Sequence, residues 1–267
     1  MIRKSYAQSR HGQIHLRVRE AQAGLDRRNL VLLHPMPYSG LYFTTFMNLF
    51  DGERTTIAPD YPGFGQSSFT GSAVSIQSFA NAVIDALEDL GIDGECDFLG
   101  FHTGCLVAAE IAIAKPSLVS SIILVDIPFF EETRRQELLA SLSSHKSYSE
   151  DLACLQSHWN SDVTSRVGRV PLRRAVDLFA DHIAAQGDGA DGFRAAFNYP
   201  VSEQFKQVAV PACVIATTSG LYEGSLSAAK LIHGVTLVKL PEVTTTVFEL
   251  GAEDIAKATK KWLSRIK

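Results

Sequence analysis

Residues 96–114 read CDFLGFHTGCLVAAEIAIA, a short apolar run joined to an apolar helical pattern through Gly100-Phe101-His102-Thr103-Gly104. A strand entering a helix this abruptly needs a sharp turn, and the two glycines permit the close backbone approach that such a turn demands. The turn lifts the middle side chain, His102, above the end of the sheet and places a helix N-terminus beside it. Comparable apolar runs recur at residues 29–33, 55–58 and 121–125. Continuous rather than alternating runs are what strands covered on both faces display. Between two of them, Ile76, Phe79, Ala80, Val83, Ile84, Leu87 and Leu90 repeat at helical spacing and Gly91 supplies the stop. The order strand, helix, strand, helix, strand predicts an α/β fold with a mostly parallel sheet and right-handed crossovers.

The chain opens differently. Segments 5–9 and 13–19 alternate around a His11-Gly12 turn, which predicts an antiparallel hairpin. From about residue 128 to 207 the strand pattern stops, and short helices are expected at 131–142, 148–160, 172–185 and 192–197. A strand at 209–217, a helix at 225–232, a strand at 235–240 and a helix at 255–266 complete the pattern. The expected organisation is a core of residues 1–127 and 208–267 carrying a helical cap inserted at 128–207.

Composition narrows the partners. A net charge of -4 with scattered arginines gives no basic stripe, so no nucleic-acid partner is expected. No stretch holds the roughly 18 uninterrupted apolar residues of a membrane span, and the first residues lack a signal-peptide core. A cytoplasmic location without a membrane partner is the expectation. Cys96, Cys105, Cys154 and Cys213 form no C-x-x-C pair and no His-Cys spacing of a zinc site, so no metal is expected, and the apolar runs around Cys96, Cys105 and Cys213 predict buried thiols; no cofactor is expected. The oligomeric state is left open.

Three stretches together resemble the α/β-hydrolase superfamily: Leu32-Leu33-His34-Pro35, Asp60-Tyr61-Pro62-Gly63-Phe64-Gly65, and the Gly-Phe-His-Thr-Gly turn, which matches the G-x-S-x-G nucleophile elbow except at its centre. The resemblance covers nearly the whole chain and implies the α/β-hydrolase fold, with the inserted helices as its cap. It also implies a serine nucleophile, an acid after the seventh strand and a histidine after the last. None of the three is present where expected. The acid's position falls near Gly220 in VIATTSGLY, the base's at Thr244 or Thr245, and no histidine follows His233.

Histidine is several-fold enriched among non-glycine residues at positive φ, so His102 suits an elbow sterically. A helix N-terminus disfavours its protonation and keeps it ready as base or nucleophile. As nucleophile it forms an acyl-imidazole; as base it activates water or removes a proton next to a carbonyl. The N–H groups of Thr103 and Met36 are the candidate oxyanion donors, because that device depends on the turn. Asp126 is the topological candidate for fixing the imidazole tautomer, with a turn or capping role as its alternative. His34 is a loop brace or a site residue, and Tyr38 and Ser39 are polar candidates for lining a pocket. His145, His158 and His182, with the aromatics of 128–207, belong to the expected cap, chiefly as packing residues.

Two functions follow. One is a cofactor-independent enzyme using His102 on a small-molecule carbonyl substrate, such as an ester, lactone or diketone. The other is a degenerate relative that binds a small apolar ligand or a protein partner without turnover. A seryl-intermediate esterase is what the elbow argues against.

Overall fold

A computed structural model describes residues 1–24, 27–50, 52–69, 71, 74–142, 150, 152–186 and 190–266. The hairpin forms from β1 (Arg3–Ser9) and β2 (Gly12–Arg19). It is followed by β3 (Leu30–Leu33), α1 (Thr44–Asn48), β4 (Thr56–Pro59), α2 (Ile76–Asp89), β5 (Cys96–Phe101), α3 (Thr103–Ala114) and β6 (Val119–Val125). Helices α4 (Glu132–Ser141), α5 (Leu152–Asp162), α6 (Leu172–Ile183), α7 (Asp191–Asn198) and α8 (Val201–Gln204) come next. The chain then returns to the sheet with β7 (Ala212–Thr217), α9 (Tyr222–Ala229), β8 (Thr236–Leu240) and α10 (Ala252–Leu263). The eight strands order as β1-β2-β4-β3-β5-β6-β7-β8. β1, β2 and β4 pair antiparallel, and the pairs from β4 through β3 to β8 are parallel.

The continuous apolar runs have the predicted cause. In β3, β5 and β6 successive residues point to opposite faces and both faces are covered. Val31, Phe98 and Ile122 pack with Phe79, Val83 and Leu106 on one side. Leu32, Leu99 and Ile123 pack with Phe43, Phe46, Phe248 and Trp262 on the other. Ser75 caps α2 through a reciprocal pair of hydrogen bonds with Ser78.

Some elements differ from expectation at their ends. β6 begins two residues before the apolar run, because Val119 already pairs with Cys96. α10 starts at Ala252, where its first turn carries Glu253 and Asp254 at the positive helix end. The short helices α1 and α8 carry too few residues to show a period. The expected helix at 148–160 is described from Leu152, and His145 lies outside the described residues. No described helix is long and apolar enough to cross a membrane.

The loop after β3 is tied to the inserted helices by buried polar contacts. Ser39 donates both its N–H, at 2.8 Å, and its hydroxyl, at 2.6 Å, to the Asp181 carboxylate on α6. Arg174 of α6 donates to the carbonyls of Leu41 and Tyr42, each at 3.1 Å, and to Glu249. Helix α6 is thereby fixed against the loop that leaves the carboxyl end of β3.

Beneath that loop lies a polar hub. Asp60, fully buried after β4, accepts from Arg17, the His15 ring and the N–H of Gly40, each at 2.8 Å, and from the N–H of Gln66 at 3.0 Å. Burial alone raises a carboxyl pKa, but these hydrogen bonds and the Arg17 charge outweigh it and hold Asp60 below the usual carboxylate range.

Candidate active site

At the end of β5 the backbone turns through His102 at φ 49° and ψ -117°, and α3 begins at the next residue. A side chain added at Gly100 would collide with the Gly104 carbonyl, and one at Gly104 with the Leu33 carbonyl. Both glycines are therefore fixed by close backbone approach, and Gly104 seats the start of α3 against the loop leaving β3. Among the described residues three non-glycines have positive φ: His102, Asp126 at 52° and Thr246 at 46°. They lie after β5, after β6 and in the loop after β8. Each such conformation costs on the order of 1–3 kcal/mol, so strain is concentrated at the carboxyl edge.

The half-buried His102 ring lies against Phe101, with centroids 3.9 Å apart. Its Nε2 is buried and has no hydrogen-bond partner among the described residues. Loss of hydration lowers its pKa to about 4, so the imidazole is neutral at neutral pH. The N–H groups of Thr103 and Met36 donate to no acceptor among the described residues. Cys105 sits below, its thiol against the carbonyls of Gly100 and Val125 and its pKa raised by burial, which makes it inert.

Asp126 stands at the end of the neighbouring strand with all its hydrogen bonds directed elsewhere. Its carboxylate accepts from the Thr217 N–H at 2.7 Å and from the hydroxyls of Thr217 and Ser219, each at 2.5 Å. No hydrogen bond joins it to His102, so the imidazole and this carboxylate form no dyad in this arrangement. Burial raises the Asp126 pKa against the effect of those donors.

The remaining sequence candidates are engaged by the fold. His34 Nδ1 faces the Pro35 carbonyl at 3.2 Å, and its Nε2 accepts the Tyr61 N–H at 3.0 Å. A carbonyl can only accept and an N–H can only donate, which fixes one neutral tautomer and makes His34 a brace between two loops. Burial lowers its pKa to about 4. Ser39 is fully buried and spent on Asp181, so it offers no hydroxyl to a ligand. Asp181 is raised to about 6 by that burial, against the Ser39 hydrogen bonds. The Met36 side chain is buried near Gly192 of α7.

Tyr38 leads to a group that the sequence did not reveal. Its hydroxyl donates to Asp162 at 2.5 Å, and Asp162 also meets His182 Nδ1 at 2.6 Å and Arg166 at 3.3 Å. Burial would raise the Asp162 carboxyl, but the His182 and Tyr38 hydrogen bonds hold it low. Tyr38 and His182 lie 124 and 20 positions from Asp162 in the chain, and only the docking of α5 and α6 brings them together.

This strand order, elbow and insertion define a class. The model of the family described as alpha/beta hydrolase fold matches residues 28–209, and the chain belongs to that family. A curated relative, the uncharacterized hydrolase YNR064C of Saccharomyces cerevisiae, is 28% identical over 141 residues, covering 52% of this chain and 48% of the relative. The match thus spans about half the length of that protein. A hydrolase from Pseudomonas aeruginosa superimposes with a TM-score of 0.80 at 17% identity, covering 97% of this chain and 98% of the other. The enol-lactonase from Burkholderia xenovorans gives 0.79 at 15% identity, with 97% and 100% covered. The thermophilic esterase from Thermogutta terrifontis gives 0.74 at 16%, with 99% of each chain covered. Identities this low establish a shared fold.

Proposed function

We propose that the chain is an enzyme acting on a small carbonyl compound, an ester, lactone or diketone, with His102 as its base or nucleophile. In this reading helices α4–α8 form a cap over the elbow, and the reaction uses neither metal nor cofactor. The supporting observation is the elbow itself: a neutral imidazole at positive φ whose Nε2 has no partner among the described residues, next to the Thr103 N–H, which has no acceptor among them. With a pKa near 4 the resting imidazole is a weak base. Its protonation becomes favourable only as negative charge develops on a substrate oxygen, when the oxyanion and imidazolium stabilise each other in a site with little water. Thr103 and Met36 supply the oxyanion contacts, and a base of this kind contributes about 10²- to 10⁴-fold in rate.

A second reading, a binder without turnover, has one observation in its favour. Asp126 is committed to Thr217 and Ser219, so this carboxylate does not orient the imidazole. Incubation of the wild-type protein with short-chain activated esters, lactones and 1,3-diketones, followed by mass spectrometry, separates the two. Consumption of any member above the buffer rate supports the enzyme. Saturable binding without consumption supports the binder.

A further inference from the structure

Two buried carboxylates meet at one turn of the loop after β3. The Ser39 N–H donates to Asp181 of α6, and the N–H of the next residue, Gly40, donates to Asp60 after β4, each at 2.8 Å. Their charge balance differs. Asp60 has the Arg17 guanidinium and the His15 ring, each at 2.8 Å. Among the described residues no cation pairs with Asp181, because those on its own helix and across the loop are engaged: Arg17 with Asp60, Arg173 with Asp177, Arg174 with Glu249 and His182 with Asp162. The Tyr38 hydroxyl is likewise spent on Asp162. Asp181 therefore rests on Ser39 alone, whose N–H and hydroxyl supply its two hydrogen bonds.

A buried carboxylate beside a second one, without a cation of its own, holds its proton more tightly than one in water. Burial is the largest influence on Asp181 and the Asp60 charge adds to it, while the Ser39 hydrogen bonds and the Arg17 charge oppose both and leave it raised to about 6. Arg174 grips the loop from the amino end of α6, through the Leu41 and Tyr42 carbonyls. Asp181 grips it from the carboxyl end, just before the Gln186 N–H meets the Gly63 carbonyl at 2.9 Å.

We propose that the contact between Asp181 and Ser39 is a pH-operated latch: with Asp181 neutral the carboxyl end of α6 rests on the loop after β3, and with Asp181 ionised that end lifts while Arg174 serves as the pivot. Lifting returns the carboxylate to water, so the ionised form favours the open arrangement and the neutral form the closed one. The closed value lies above the ordinary 3.8, so the latch is fully held below 3.8 and loosens as pH rises towards about 6. Linkage between those two values raises the open population about tenfold from pH 5 to pH 7.

The test is amide hydrogen exchange of the full chain, resolved by NMR at pH 5 and pH 7 and expressed as protection relative to the intrinsic rate. The Ser39 and Gln186 amides report the junction, and those of β5 and β6 report the molecule as a whole. Protection at Ser39 and Gln186 should be about tenfold lower at pH 7 than at pH 5, with no such fall in β5 and β6. Asp181→Asn keeps the shape without the charge and should hold the two pH values within about twofold of each other. Ser39→Ala withdraws one hydrogen bond from the carboxylate and should carry the fall at Gln186 to higher pH. Wild-type protection that is level or higher at pH 7, a fall shared equally by β5 and β6, an undiminished fall in Asp181→Asn, or no upward displacement in Ser39→Ala would each overturn the proposal.

Discussion

Substitution of His102 should change how the protein responds to acid, and by a calculable amount. The His102 pKa falls from an unfolded value of 6.5 to about 4 in the fold, so the unfolded chain binds its proton first. The neutral ring is accommodated fully above the unfolded value, and stability is lost as pH falls from 6.5 towards about 4. Each pH unit in that window costs about 1.4 kcal/mol, giving about 2 kcal/mol at pH 5 and about 3 kcal/mol in the limit. His34 behaves in the same direction, because it is also lowered to about 4. Asp181 opposes both: raised to about 6, it takes up its proton in the fold first and favours the fold as pH falls. In a comparison of wild type with His102→Ala these other groups titrate in both proteins and cancel. Urea unfolding near pH 7 and near pH 5 should show the wild type losing about 2 kcal/mol more than the variant. Equal losses would refute the reasoning, since they would mean that the fold does not disfavour the imidazolium.

Asp60→Ala should destabilise the fold by about 3–5 kcal/mol in urea unfolding, because it leaves Arg17 buried without its partner and orphans the N–H groups of Gly40 and Gln66. A loss below about 1 kcal/mol would show that water replaces the carboxylate there. His102→Gly should be more stable than His102→Ala by about 1 kcal/mol, because only glycine adopts this backbone without strain. The same unfolding assay checks it, and the reverse order would remove the argument from φ.

The sheet and its crossovers were legible because apolar period carries them locally: Phe98 and Leu99 serve opposite faces, and each run announces its own strand. The elbow was legible because Gly100 and Gly104 are required by backbone contacts within a few residues and by the adjacent strand. The partners of the side chains were not. Asp126 stands where topology places it, yet its carboxylate turns to Thr217 and Ser219, 91 and 93 positions away. The Tyr38, Asp162 and His182 contacts depend on how α5 and α6 settle on the loop after β3, and no short-range pattern encodes that docking. Positive φ at Thr246 left no trace either, since threonine does not announce a left-handed backbone as glycine does.

The most direct measurement is kcat/KM of wild type and His102→Ala on whichever panel substrate the wild type consumes fastest, with thermal melting to show that both are folded. A loss of about 10²- to 10⁴-fold is predicted, the contribution of a positioned base acting in the transition state. An unchanged kcat/KM in a folded variant would contradict the assignment of the chemistry to the elbow histidine.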